Sequence, residues 1–344
     1  MKQKLTKLSE LGEFKLIDQL TKDFKIKNTS TIKGIGDDAA IIDNSDKQTV
    51  ITTDLLVEGI HFDLTYSSLK YIGYKSVIVN LSDIYAMNAQ PKQITVSFAI
   101  SNKFSFEAMN EIYKGINSAC EAYGVDLVGG DTSSSKLGFF ISITAIGEVE
   151  KGKAVYRNTA QENDLICVSG DLGAAYMGLQ LLEREKLIFE KTPEIQPDFT
   201  GKEYIIQRQL RPEARKDIIE LLAENNIVPT SMIDISDGLS SEILHICKKS
   251  KKGCEIYENK LPIDKLTKEM SHEFGIDPTI SAMNGGEDYE LLFTISLSDY
   301  DKIKKYPQIS VIGHITKNED QIDLISENDV RVPIVAQGWN AVKE

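Results

Sequence analysis

Acidic residues recur along this chain inside short motifs bounded by glycine, hydroxyl or apolar residues: GIGDDAA at 34–40, TTDLL at 52–56, LSD at 81–83, GGDT at 129–132, DISDG at 234–238 and GGED at 285–288. Surface Asp and Glu ordinarily lie in polar runs, whereas Asp54 and Asp83 follow the apolar stretches TVITT and VIVNLS, which places their backbones near a core. Carboxylates gathered in one cleft repel by about 1 kcal/mol per pair at 4 Å in water, and by about 4 kcal/mol at an effective dielectric of 20. Such an arrangement demands cations. Oxygen ligands without a His or Cys cluster favour Mg²⁺, Mn²⁺ or Ca²⁺ over zinc, and magnesium so held usually shares its shell with substrate phosphates. The chemistry implied is nucleotide-dependent phosphoryl transfer.

Each motif also has a plainer reading. GIGDDAA supplies a glycine turn that lets Asp37 and Asp38 approach a ligand, or a β-turn with solvated acidic tips. In the strand around TTDLL, period-two alternation puts Thr52 and Asp54 on one face and Thr53 on the other. On the following helix Asn80, Asp83 and Met87 share a face, and an Asp inside a helix is unfavourable by propensity, which points to a ligand role. GGDT sets Asp131 after an apolar strand and two glycines, in a turn that presents backbone N–H groups to a phosphate or in a plain hairpin. In DISDG, Ser236 or Asp237 caps a helix beginning near Leu239, a place where a phosphate also binds. Glu287 and Asp288 precede a strand and face a substrate amine or cation, or are polar hairpin residues. His61 is an anionic-substrate contact or a structural hydrogen-bonding residue, Arg157 a phosphate partner or a surface cation, and Trp339 a stacking platform or a core anchor. Neither GxxxxGK[ST] nor an HRD and DFG pair occurs, so a nucleotide enzyme here must rely on metals and backbone.

The elements that must carry these residues fit a chain of 344 residues, which is long for one core and predicts two domains. With 41% hydrophobic and 26% charged residues it reads as an ordinary globular protein, and a net charge of −13 argues against non-specific binding to nucleic acid or anionic membrane. Cys120, Cys167, Cys247 and Cys254 form no CxxC pair and read as reduced thiols; with no signal-like or bilayer-spanning apolar run, the expected location is the cytoplasm. The pattern predicts helices over 11–24, 69–87 and 106–124, the last closed by Gly124, and strands over 48–59, 93–100 and 137–149. A polar segment near 150–160 marks the boundary. Beyond it, 164–182 reads strand, glycine turn, helix; helical patterns cover 204–225 and 239–251, and strands fall at CEIYEN, YELLFTIS and ISVIGHIT.

In their order, and over nearly the whole chain, GIGDDAA, TTDLLVEGIHF, NLSDIYAM, GGDT, DISDGL and GGEDYEL resemble the thiamine-monophosphate kinase family, in the superfamily that includes aminoimidazole ribonucleotide synthetase. The resemblance implies an α+β fold in two domains. Residues 1–150 would form a synthetase-like ATP- and Mg-binding mixed α/β unit with a barrel-like dimer interface, and 151–344 an α+β domain completing the active-site cleft. The implied reaction is ATP plus thiamine monophosphate giving thiamine diphosphate and ADP, by direct in-line Mg²⁺-assisted transfer in a homodimer that binds neither nucleic acid nor membrane. The family's several magnesium ions fall on Asp38, Thr52, Thr53, Asp54, Asp83, Asp131, Asp234 and Asp237, with Asp54, Asp83 and Asp131 as the catalytic set. Nucleotide contacts fall on Tyr113, Gly130, Asp131, Arg157 and Ser236, and substrate contacts on His61, Glu287 and Trp339. Tyr85 and Asn88 stand where the family commonly carries Ala and Gly, and the ending GWNAVKE lacks the usual His-Phe. The alternatives are a sister ATP-dependent enzyme such as aminoimidazole ribonucleotide synthetase, or a non-catalytic Mg–nucleotide-binding module.

Overall fold

A computed structural model describes residues 19–33, 41–45, 47–101, 103–194 and 196–337. GIGDDAA, with Asp38, and Trp339 lie outside the described residues, as does most of the helix expected over 11–24, of which Gln19, Leu20 and Thr21 are helical. The chain divides into two compact units, one comprising 1–84 and 89–152, the other 85–88 and 153–344.

In the first unit β1 (Thr31–Lys33) and β2 (Ile41–Ile42) make a two-stranded sheet, and a four-stranded sheet has the order β3 (Gln48–Val57), β6 (Phe140–Val149), β4 (Gln90–Ile100), β5 (Asp126–Ser134). β3–β6 and β6–β4 are antiparallel and β4–β5 parallel. Alternation separates the sheet's faces cleanly. The row Asp54, Ile143, Val96, Gly130 lies on the inner face, where Ile143 and Val96 are buried, and the row Leu55, Ser142, Ser97, Asp131 lies on the outer one. The sheet is open among the described residues, so the expected barrel does not close within this unit.

Helix α1 (Leu69–Ala86), as far as Ile84, and helix α2 (Phe106–Tyr123) belong to the same unit. Nearly all of α1 from Ile72 onward is buried, which explains why its apolar residues form no single stripe. α2 starts at Ser105, whose side chain accepts from the Ala108 N–H, and ends at Gly124 in the left-handed region, as its sequence predicts. The two helices meet backbone to backbone: a Cβ on Gly73 would lie 2.1 Å from the Ile112 carbonyl oxygen, and one on Gly115 would lie 1.9 Å from that of Lys70. Buried Asp126, at the start of β5, accepts from the N–H groups of Lys27 and Asn28 and from the Thr31 hydroxyl, tying the chain before GIGDDAA to the strand that carries Gly130 and Asp131.

The second unit is built on a seven-stranded sheet in the order β13 (Arg331–Pro333), β12 (Ile322–Ile325), β9 (Gly253–Tyr257), β11 (Ile309–Thr316), β7 (Leu165–Ser169), β10 (Glu290–Ile295), β8 (Ser231–Ile235). Among these described strands only the β12–β9 pair is parallel. Every residue of β8 and β10 is buried, the pattern of strands covered on both faces. On one face α6 (Leu239–Ser250) packs Leu239, Ile243 and Ile246 against Ile166, Val168, Ile233 and Leu292, with Ala282 and Met283 of α8 (Pro278–Asn284) in the same cluster. A smaller core joins Ala174, Met177 and Leu181 of α3 (Ala174–Lys191) to Ile205 of α4 (Glu203–Leu210) and Met270 of α7 (Lys265–Glu273). The helical pattern expected over 204–225 is two helices, α4 and α5 (Lys216–Glu224), separated by a segment holding Pro212. Helix α9 (Tyr300–Ile303) precedes β11. Asn88 adopts φ 57°, the left-handed region that favours glycine and tolerates Asn, and its amide donates to the Lys153 carbonyl at 2.9 Å. A glycine at this place would take the same conformation without strain.

Candidate active site

The inner face of β3 meets α1 at a cluster of oxygen groups. Thr52 Oγ1 donates to Asp83 Oδ2 at 2.5 Å, and the Asp54 N–H donates to Asn80 Oδ1 at 3.1 Å. Asn80 is itself fully buried and held by its Nδ2 donating to the Ser76 carbonyl at 3.0 Å, so the helix fixes where the strand's carboxylate stands. Burial, and then the neighbouring Asp83 charge, push the Asp54 carboxyl up to about 6. Thr53 points the other way, as alternation requires: its hydroxyl donates to the Ile143 carbonyl and accepts from Thr144 Oγ1, both at 3.1 Å.

Asp131 is not in a turn. GGDTSS continues β5 as a parallel partner of β4, and Asp131 is exposed on the outer face, opposite Ser97. Three strand spacings, about 14 Å for a flat sheet, separate β5 from β3. Within the described unit the structure therefore groups Thr52, Asp54 and Asp83 and sets Asp131 apart from them. Tyr113 packs its ring against Phe98, with centroids 5.5 Å apart, and burial pushes its hydroxyl up to about 12. His61 Nδ1 accepts from the Val57 N–H at 3.1 Å, so its neutral ring carries the proton on Nε2.

In the second unit DISDG begins at the end of a strand that sequence reading missed: SMIDI is β8, and Asp234 is buried within it. Neither Ser236 nor Asp237 caps α6. The cap position is Gly238 at φ 116°, with no side-chain cap bond, and the Asp237 N–H donates instead to Glu242 Oε1 at 3.0 Å. Burial raises the Asp237 carboxyl, which His245 partly offsets. Glu242, 2% exposed, is pushed up to about 8, chiefly by burial and with Asp237 and Asp234 adding to it. Arg157 is exposed, and its carbonyl accepts from Ser250 Oγ.

The GGED motif is a strained loop. Gly286, Glu287 and Tyr289 take φ of 74°, 57° and 51°, and non-glycine residues in that region need support from their surroundings. Support comes from the Glu287 N–H donating to the Ser236 carbonyl at 2.7 Å, and the Tyr289 N–H to that of Ile235 at 2.9 Å. Asp288 is buried at the start of α3, accepting from the N–H groups of Gly173 at 2.8 Å and Ala175 at 3.4 Å, where the unpaired donors of a helix terminus favour a carboxylate. Arg208 of α4 donates to Glu290 at 2.9 Å and lies 3.7 Å from Asp288, and Arg215 also binds Glu290. Asp288 is thus an internal anchor, while Glu287 receives a 2.7 Å bond from Gln209 Nε2.

The model of the AIR synthase related protein family, N-terminal domain, matches residues 36–149. The thiamine-monophosphate kinase of Buchnera aphidicola subsp. Schizaphis graminum is 38% identical over 96% of this chain and 99% of its own length. The chain belongs to the thiamine-monophosphate kinase family. Solved structures agree: thiamine-monophosphate kinase from Stenotrophomonas maltophilia K279a matches with a TM-score of 0.79 at 30% identity, covering 93% of this chain and 98% of that one. AaThiL complexed with AMPPCP and TMP matches with a TM-score of 0.74 at 31% identity, covering 97% and 98%.

Against the family's motifs, the residues that sequence reading passed over are those that hold others in place. Asn80 was visible in NLSD as a helical neighbour of Asp83, but its bond to the Asp54 N–H needs the fold; Glu242 and Gln209 carried no local signal at all. The donor set on β3 and α1 suits a hard cation, being oxygen only, and the raised Asp54 carboxyl beside Asp83 marks two anions whose mutual repulsion a cation would relieve. Among the described residues no three His, Cys, Asp or Glu side chains form a metal-holding group, so a cation bound here would need hydroxyl, backbone, water or substrate oxygens as well.

Proposed function

We propose that this chain transfers a phosphoryl group from ATP to thiamine monophosphate, forming thiamine diphosphate and ADP. The observation that carries the reading is coverage: 97% of the chain matches AaThiL complexed with AMPPCP and TMP at 31% identity, so the likeness is not confined to one domain of a widely shared fold.

The acceptor is a phosphate monoester with a second pKa near 6, so at neutral pH its oxygen is already a nucleophile and no general base is required. The difficulty is bringing one anion up to another. Thr52, Asp54 and Asp83 would hold one magnesium ion, and by family resemblance Asp38, Thr53, Asp131, Asp234 and Asp237 would be ligands of the family's other magnesium ions. Bound there, magnesium would offset phosphate charge and favour in-line transfer. Asn80 fixes Asp54 through its backbone, and Thr52 orients Asp83, so the carboxylates are set before reactants arrive. Gly130, Arg157, Ser236 and Tyr113 are the proposed nucleotide contacts, and His61, Glu287 and Trp339 the substrate contacts.

The active form we propose is a cytoplasmic homodimer. Supporting the dimer, Ile51 and Leu55 are 65% and 54% exposed on the outer face of edge strand β3, an apolar surface suited to a second copy. Supporting the compartment, the four cysteines are buried free thiols, and no helix of the described residues is long and apolar enough to cross a membrane.

Incubation with ATP, magnesium and thiamine monophosphate, followed by chromatography that resolves thiamine diphosphate from free thiamine, tests the reading. Equal amounts of ADP and thiamine diphosphate are expected. ADP formed only with formylglycinamidine ribonucleotide would assign the chain to the sister synthetase, and nucleotide binding without any ADP would make it a binding module.

A further inference from the structure

The GGED loop is held by two successive residues of α4 that do different electrostatic work. Arg208 faces Asp288 and Glu290 and neutralises buried charge. Gln209, only 4% exposed, donates its Nε2 to Glu287 Oε2 at 2.7 Å. An amide orients a carboxylate without cancelling its charge, whereas a guanidinium or ammonium in the same place would form an ion pair. Glu287 stands on backbone in the left-handed region and is fixed on either side, by its own N–H to Ser236 and by Asp288 at the start of α3. Its side chain has few remaining freedoms, and the bond from Gln209 fixes its carboxylate end.

We propose that Gln209 is a positioning residue that holds the Glu287 carboxylate for the cationic thiazolium ring of the substrate, and so sets preference for a cationic over a neutral phosphate monoester. The proposal rests on the kinase reading and on Glu287 meeting the substrate. The phosphate end of thiamine monophosphate requires cations, while its ring carries a permanent positive charge. Gln209 orients the carboxylate without itself bringing a cation, and a carboxylate so oriented discriminates for that ring.

The test is a double-mutant cycle with Gln209→Met, Glu287→Gln and the pair. Gln209→Met removes the donor at similar volume, and is expected to raise KM for thiamine monophosphate about tenfold, as loss of a hydrogen bond to a charged group implies. It should leave kcat and KM for ATP within about twofold. Calorimetry with thiamine, the cation without its phosphate, should show a similar weakening. Because Gln209 acts through Glu287, adding Gln209→Met to Glu287→Gln should change KM less than about twofold. An unchanged KM in folded Gln209→Met, a parallel rise in KM for ATP, or additive effects would each overturn the proposal. Should Gln209→Met fail to fold, Gln209→Asn, which keeps an amide but shortens its reach, carries the same expectation. Wild-type protein that makes no thiamine diphosphate would overturn the kinase reading and this proposal together, whereas active wild type with additive effects removes the Gln209 role alone.

Discussion

Replacing Asp54 with an asparagine should make the protein more stable and nearly inactive. The Asp54 carboxyl, raised from 3.8 to about 6 by burial and by Asp83, is costly to ionise in the folded chain. Taken at face value, the rise corresponds to about 3 kcal/mol, and solvent reaching a partly buried group reduces this to about 1–2 kcal/mol. The sign follows from proton binding: the folded state binds the proton more tightly than the unfolded one, so stability falls as pH climbs from about 4 to about 6 and remains lower above that. An uncharged amide at this position escapes the loss. Thermal unfolding in the presence of a chelator should give Asp54→Asn a Tm about 2–6 °C above wild type at pH 8, with the gap closing by pH 4. Magnesium should raise the Tm of the wild type and much less that of the variant, because only a state that binds the ion is stabilised by it. Turnover at saturating magnesium should fall by orders of magnitude. A variant that is no more stable than wild type at pH 8, or that turns over normally, would refute the electrostatic account of the site.

Four other outcomes follow from the geometry. Asp83→Asn should likewise lose turnover by orders of magnitude with the fold intact by circular dichroism, since Thr52 keeps an acceptor there. Asn80→Ala leaves the Asp54 N–H without its partner and should cost about 2–3 kcal/mol in urea unfolding, together with a weaker magnesium dependence of kcat. Asp288→Ala strips two N–H groups at the start of α3 of their acceptor and should lower stability by about 2–4 kcal/mol in the same assay. The double change Ile51→Arg with Leu55→Arg, both on the exposed face of β3, should convert a dimer to monomer in sedimentation while leaving each unit folded.

Local pattern revealed most of the elements. The β-branched run before Asp54 is β3, the apolar stretch through Asp83 is α1, and Gly124 ends α2 at positive φ. Pairing was another matter. GGDT has glycines enough for a turn, yet those glycines sit in a parallel ladder with β4; a Cβ on Gly130 would come 2.0 Å from the Val96 carbonyl oxygen. SMIDI is too short for periodicity to reveal a strand, so no element is expected there between the helical patterns over 204–225 and 239–251. The expected cap at Ser236 or Asp237 is absent because the cap position falls on Gly238, while Glu242, five residues beyond Asp237, accepts the Asp237 N–H. Likewise, nothing near Asp288 in sequence indicates that it ends up at the start of α3, more than a hundred residues earlier in the chain. The acids themselves were visible; their division between opposite faces of one sheet depended on register, which is set by tertiary pairing.

The close approach of α1 and α2, Gly73 against Ile112 and Gly115 against Lys70, has a bearing on motion. Two helices whose main chains touch have no side-chain cushion through which one might slide or roll past the other. Asp83 is therefore carried on a stiff beam, and its distance from Thr52 should change little through a turnover cycle. Adjustments that admit or release reactants must come from more compliant parts, and on the sheet that means the solvent-facing end of β5, where Gly130 through Ser134 are all exposed.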